Sequence, residues 1–195
     1  MAEYRFKILL LGSPAVGKTS ILHKFVKNTF AHNYATTIGM NFLTKDLKFT
    51  KKDKAKLVVW DFAGQKRFKS LQKDFYKAGN GALLIFDLTR AETFDDIDEW
   101  RSGIAEVLQN DIPFILIGNK MDLIEELGRG IEADDSREYA EGKGSIYIET
   151  SAKTGENIEN AFIQLTRIMA GEGLIEKKKK QKKKKKKKRR RKKKS

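Results

Sequence analysis

The eight residues Gly12-Ser13-Pro14-Ala15-Val16-Gly17-Lys18-Thr19 follow the spacing G-x-x-x-x-G-K-[ST], and no other stretch so narrows what the chain can fold into. Ahead of them the apolar run Ile8-Leu9-Leu10-Leu11, closed by glycine, reads as the end of a buried strand over residues 4–11. Behind them Ile21, Leu22, Phe25 and Val26 fall at helical spacing. A glycine-rich loop between a strand and a helix converges backbone N–H groups and the positive end of the helix on an anion. Lys18 would add a point charge at the outer phosphates, and the Thr19 hydroxyl would ligate Mg2+.

The formal charge of +15 suggests a nucleic-acid partner until its location is considered. Residues 177–194 hold 17 Lys or Arg and one Gln; setting these 17 aside leaves 24 of the 41 basic residues against 26 acidic ones, so residues 1–176 carry about −2. One folded domain over 1–176 and a disordered polybasic tail over 177–195 are expected, because the tail has nothing apolar to bury. The absence of cysteine removes disulfides, thiol catalysis and any prenyl or palmitoyl attachment point. No apolar stretch approaches the roughly 20 residues that span a bilayer, and MAEYRFK lacks a signal-like apolar region. The expectation is a soluble cytoplasmic protein with the charged tail as its only address.

Six segments read as strands: 4–11, 40–50, 55–61, 82–86, 114–117 and 145–148. The short turn at 51–54 makes the second and third an antiparallel pair. Between strands, Phe94, Ile97, Trp100, Ile104, Val107 and Leu108 keep helical spacing with Thr93 as the N-cap, and Ile158, Ala161, Phe162, Leu165 and Ile168 make a second apolar face. A short helix is expected over 68–76. This alternation predicts a three-layer α/β fold, a mostly parallel six-stranded sheet with one antiparallel edge strand. Ligands of such sheets bind at the carboxyl ends of the strands. There stand the glycine-rich loop, Asp61, Asn119-Lys120-Met121-Asp122 and Thr150-Ser151-Ala152-Lys153.

With these motifs in this order, residues 4–172 resemble the small Ras-like GTPases, which share the P-loop NTPase fold, and the Rab family most closely. Residues 38–42 (IGMNF), 56–61 (KLVVWD) and 75–79 (FYKAG) look like Rab signatures. The resemblance implies GTP and GDP as ligands, Mg2+ as cofactor and slow hydrolysis. In it Asp122 accepts the two N–H donors of guanine, Asn119 holds the loop and contacts N7, Lys120 covers one face of the base and Phe30 stacks on it. Ala152 donates its N–H to O6, with Ser151 and Lys153 shaping that loop. Ala15, Val16, Gly17, Lys18, Thr19 and Ser20 surround the phosphates. Gln65 orients the attacking water and Gly64 donates to the γ-phosphate. Thr19 and Thr37 bind Mg2+ directly, and Asp61 binds it through water. Phe42, Trp60 and Phe75 form an aromatic partner-reading cluster, and residues 31–42 and 62–76 meet effectors and regulators. A monomer is expected.

Three features depart from the family pattern. Pro14 lacks an N–H and crowds the entry point of an activator's arginine. Phe62 replaces Thr, and Lys66 replaces Glu after the glutamine. The lipidated cysteines give way to the basic run, which suits an anionic membrane surface and would also bind RNA or DNA. A membrane-attached switch, a nucleotide-dependent RNA or ribosome binder, and a GTP-bound scaffold with negligible turnover all fit these motifs.

Overall fold

Four consecutive apolar residues leave a strand no face for solvent, and Ile8, Leu9, Leu10 and Leu11 are all fully buried. They end β1 (Glu3–Leu11), which lies inside a six-stranded sheet in a computed structural model that describes residues 2–30, 39–63 and 72–172. The other strands are β2 (Met40–Lys48), β3 (Lys54–Phe62), β4 (Gly81–Asp87), β5 (Phe114–Asn119) and β6 (Tyr147–Glu149). Their spatial order is β2-β3-β1-β4-β5-β6. Only the β2–β3 pair is antiparallel; the rest of the sheet is parallel.

Alternation along β1 sends Ile8 and Leu10 to one face of the sheet and Leu9 and Leu11 to the other. On the first face pack α1 (Lys18–Lys27) and α7 (Ile158–Met169), where Phe25 stacks on Phe162 with ring centroids 3.7 Å apart. On the second pack α2 (Gln72–Tyr76), α3 (Glu92–Asp95) and α4 (Ile97–Leu108), followed along the chain by a 3-10 turn at Met121–Leu123, α5 (Ile124–Leu127) and α6 (Ala133–Gly142). This is the three-layer, mostly parallel sheet that the sequence predicts.

Two local expectations change, and one helix appears that the sequence pattern does not show. Thr93 does not cap the long helix: it is buried within α3, where its hydroxyl accepts the Asp87 N–H and donates to the Arg90 carbonyl. β6 starts after Ser145, whose hydroxyl donates to the Phe114 carbonyl and fixes the approach to the strand instead of pairing in it. The α6 helix has no apolar stripe in the sequence, because its buried positions are the small Ser136 and Ala140 while Asp134, Asp135, Glu138 and Glu141 face outward. Of the helix expected over 68–76, residues 68–71 lie outside the described residues, as does the tail at 177–195.

Candidate functional site

The carboxyl ends of the parallel strands gather the polar motifs in one place, and close backbone approach sets how they meet. Gly12 has φ +143°, and a Cβ there would lie 2.0 Å from the Ile85 carbonyl oxygen of β4. Gly17 has φ +98°, and a Cβ there would lie 2.3 Å from Asn119 Nδ2 at the end of β5. Only glycine lets the loop sit against both strands. Ala15 takes a left-handed φ of 62° with a side chain attached, a conformation that costs of order 1–2 kcal/mol and marks the loop as held under strain.

At the loop's inner end Lys18 is 6% exposed, and its Nζ donates to the carbonyls of Gly12 at 2.7 Å and Ser13 at 2.8 Å. Burial pushes the ammonium down to about 8, with the Asp61 carboxylate pulling the other way. The first turn of α1 contains no acidic residue and Gly17 offers no side-chain cap, so the positive end of the helix faces the loop. Thr19 donates its hydroxyl to Asp61 Oδ2, and Asp61 is fully buried. Its Oδ1 has no hydrogen-bond partner among the described residues, and burial raises its carboxyl above the usual range. A hydroxyl beside a buried carboxylate with an uncommitted oxygen is a hard-oxygen pair that fits Mg2+. No group of three or more His, Cys, Asp or Glu is gathered in metal-ligand geometry among the described residues. Ser20 is buried one residue on.

The other end of the site is built from bonds between the motifs themselves. Asn119 Nδ2 donates to the Val16 carbonyl at 2.8 Å, while its Oδ1 accepts from Thr150 Oγ1 at 3.1 Å and from the Ala152 N–H at 3.2 Å. One side chain thus ties three strand ends together. Ser151 donates to Asp122 Oδ1 at 2.6 Å and accepts the Thr154 N–H, and Lys120 takes a left-handed φ of 68°. The Ala152 N–H, assigned to the base on sequence grounds, is already held by Asn119 and would serve a ligand only by sharing that bond. Lys153 is exposed at the rim, and Phe30 is half-buried against the α1 side of the core. Thr37, Gly64, Gln65 and Lys66 lie outside the described residues.

Asp87 and Arg90 belong to no motif read from the sequence. Asp87 ends the all-apolar β4 as Asp61 nearly ends β3, so the same signal, a carboxylate closing a buried strand, was present there. It is 1% exposed, and its carboxylate receives Lys120 Nζ at 2.7 Å, Arg90 Nε at 3.0 Å and both donors of Thr89. Burial pushes this carboxyl up, but the bonds from Lys120 and Thr89 outweigh it and hold it below the usual range.

The aromatic cluster assembles with one correction. Phe42, 53% exposed on the edge strand, stacks on Trp60 at 5.1 Å, and Trp60 meets Phe75 edge-on at 6.1 Å. Phe75 itself is fully buried, packed against Phe62 and Tyr76, so it supports this patch from beneath and offers no surface of its own. Phe62 is core for the same reason.

A profile of the Ras family matches residues 7–171. The chain is 39% identical over 160 residues to "Ras-related protein Rab11A" of Lotus japonicus, covering 82% of this chain and 70% of that one. It is 40% identical over 166 residues to "GTP-binding protein yptV5" of Volvox carteri, covering 83% and 80%. To the human "Ras-related protein Rab-30" it is 36% identical over 163 residues, covering 84% and 79%.

Proposed function

The chain belongs to the Ras family of small GTPases, with Rab proteins among its relatives, and from that premise we propose a slow GTP-hydrolysing switch held at anionic membranes by residues 177–194. The observation that carries the reading is Asn119: its amide joins the glycine-rich loop at Val16 to the loop bearing Ala152, which supports base and phosphate sites that act as one unit.

In this reading Asp122 selects guanine by accepting its N1–H and N2–H, and adenine is rejected because it presents a donor where O6 stands. Asn119 contacts N7, Lys120 and Phe30 cover the faces of the base, and the Ala152 N–H reaches O6 while Ser151 and Lys153 shape its loop. The N–H groups of residues 15–20 and the α1 terminus hold the phosphates, and Lys18 leaves the Gly12 and Ser13 carbonyls for a phosphate oxygen. Thr19 and Thr37 would ligate Mg2+, with Asp61 acting through water. The ion would offset charge on the phosphate oxygens. Gln65 positions the attacking water, which phosphoryl transfer needs more than covalent chemistry, and Gly64 donates to the γ-phosphate. When that phosphate leaves, the Thr37 and Gly64 contacts leave with it, so residues 31–42 and 62–76 change partners. Effectors would read that state partly through Phe42 and Trp60. Pro14, exposed in the loop, would hinder an activator's arginine.

A basic residue near an anionic leaflet contributes about 1 kcal/mol, so a third of the 17 charges engaged gives roughly 5 kcal/mol, enough for reversible recruitment. An extended run of that length reaches on the order of 60 Å, leaving the partner-reading face free. Two measurements test the reading. Single-turnover phosphate release should fall on the order of 10⁻⁴ to 10⁻² per second with GTP, and should slow further in Gln65→Leu. Vesicles containing about 30% anionic lipid should float the full chain but not a chain ending at Glu176. Equal flotation of the two chains would overturn the membrane assignment. Loss of flotation to competing RNA at physiological salt would favour a nucleic-acid partner instead.

A further inference from the structure

Lys18 is not the only cation that grips a carbonyl of the phosphate loop. Arg90, on the turn after β4, donates from Nη2 to the Pro14 carbonyl at 3.1 Å while its Nε is held by Asp87 Oδ2 at 3.0 Å. The same Asp87 oxygen lies 2.7 Å from Lys120 Nζ. One buried carboxylate therefore binds a base-side lysine and an arginine fixed to the phosphate loop.

We infer that Asp87 and Arg90 are positioning residues that hold Lys120 and the phosphate loop in one frame, and so set the rate at which nucleotide is released without touching it. The inference rests on the guanine-nucleotide reading above and extends it to residues outside the motifs.

The turn that carries Arg90 is closed by hydrogen bonds. Thr93 Oγ1 accepts the Asp87 N–H at 2.9 Å and donates to the Arg90 carbonyl at 2.7 Å, and the Arg90 N–H donates to the Asp87 carbonyl at 3.0 Å. A second tie runs beside the first, because Ser13 donates its hydroxyl to Asp96 at the head of α4. Consecutive loop residues Ser13 and Pro14 are thus fastened to the segment 87–96. The chemistry explains why a cation does this at Pro14. Carbonyl oxygens carry the wrong sign for an anion site, and Lys18 holds those of Gly12 and Ser13 only until it turns to a phosphate. Arg90 occupies the third, at a residue with no N–H of its own to offer a phosphate. The bidentate head group is needed, since a single ammonium cannot satisfy a carboxylate on one side and a carbonyl on the other with the same planar geometry. Arg90 is 37% exposed, so truncating it removes these bonds without opening the core.

The test follows release of a fluorescent GDP from the full chain, chased with excess GDP. Arg90→Ala should release about tenfold faster, as expected for losing a charge-assisted hydrogen bond, and Arg90→Lys should stay closer to Arg90→Ala than to wild type. Asp87→Asn should exceed both, because it frees Lys120 as well. Adding Arg90→Ala to Asp87→Asn should then change little, since the two act through one bond network. The melting temperature of ligand-free Arg90→Ala should match wild type, which separates positioning from general loss of fold. If Asp87→Asn does not fold, the two Arg90 variants carry the test alone. Wild-type release rates in Arg90→Ala, or full recovery in Arg90→Lys, would overturn the inference while leaving the nucleotide reading intact. A wild-type chain that does not retain GDP would overturn both.

Discussion

The two ends of the site are stabilised in opposite ways. At the base end the polar groups satisfy one another: Asn119 bonds Val16, Thr150 and Ala152, Ser151 bonds Asp122, and Lys120 pairs with Asp87. At the phosphate end the buried Lys18 turns onto backbone carbonyls, and Asp61 keeps one oxygen without a partner among the described residues. The first arrangement stabilises the folded chain by itself. The second places unfavourable buried charge that a phosphate and a divalent cation would relieve. On the proposed reading, base selection would draw on bonds already made in the fold, and phosphate binding on buried charge that the ligand relieves.

The largest expected effect breaks the phosphate end alone. Lys18→Met should weaken GDP binding by about 100- to 1000-fold, because it removes the charged donor. It should also lower the melting temperature of the ligand-free chain, since the Gly12 and Ser13 carbonyls lose their donor and the buried Asp61 its nearby cation. A thermal unfolding scan beside a GDP titration checks both, and unchanged GDP affinity would erase the contrast between the ends.

Next comes Asp122→Asn at the base end. It should weaken GDP by about 30- to 100-fold, since a buried donor of guanine loses its acceptor. Xanthosine diphosphate should improve, because the new amide can donate to the oxygen that replaces the guanine amino group. Competition against fluorescent GDP reads both changes.

Gly17→Ala strikes the joint between the two ends. The new methyl would sit 2.3 Å from Asn119 Nδ2 at a φ of +98°, so chemical denaturation should show a loss of about 2 kcal/mol or more. If the variant folds as well as wild type, the ends are not coupled through Asn119.

The smallest effect concerns the strand that carries the base loop. Arg129 forms a bidentate pair with Glu149 at 2.8 and 3.0 Å, and Tyr147 donates to the same carboxylate. Burial pushes the Glu149 carboxyl up, yet these donors hold it below the usual range. Its folded value thus lies below its unfolded value, so the stabilisation is full above about pH 4.5 and is lost as pH falls through the folded value. Arg129→Ala should cost about 1–2 kcal/mol at neutral pH, and the gap from wild type should close as the solution is acidified through that range. A constant gap from pH 7 to pH 3 would contradict it.

The residues readable from sequence are those whose chemistry is carried by a motif or an apolar run. Gly12 to Thr19 declares a strand, a loop and a helix, and Asn119, Asp122 and Ser151 stand in polar motifs at strand ends, to which the family resemblance assigns the base; the structure brings these side chains together there. What stayed hidden depends on partners remote in sequence. Arg90 reaches Pro14, 76 residues away, and nothing local distinguishes it from a solvated arginine. The α6 helix buries Ser136 and Ala140, which carry too little apolar surface to show a period. Phe75 was readable as an aromatic but not as a buried one, because its burial comes from packing on the sheet face against Phe62, remote in sequence, and Tyr76.

On the proposed reading, the strand ends that carry Asn119, Asp122 and Ser151 select guanine before any ligand arrives. Titration calorimetry of the full chain with GDP and with ADP, both with Mg2+, tests it most directly. GDP should bind at least about 1000-fold more tightly than ADP, the ratio expected when unmatched buried donors and acceptors are left in the losing complex. ADP affinity within tenfold of GDP would contradict the account.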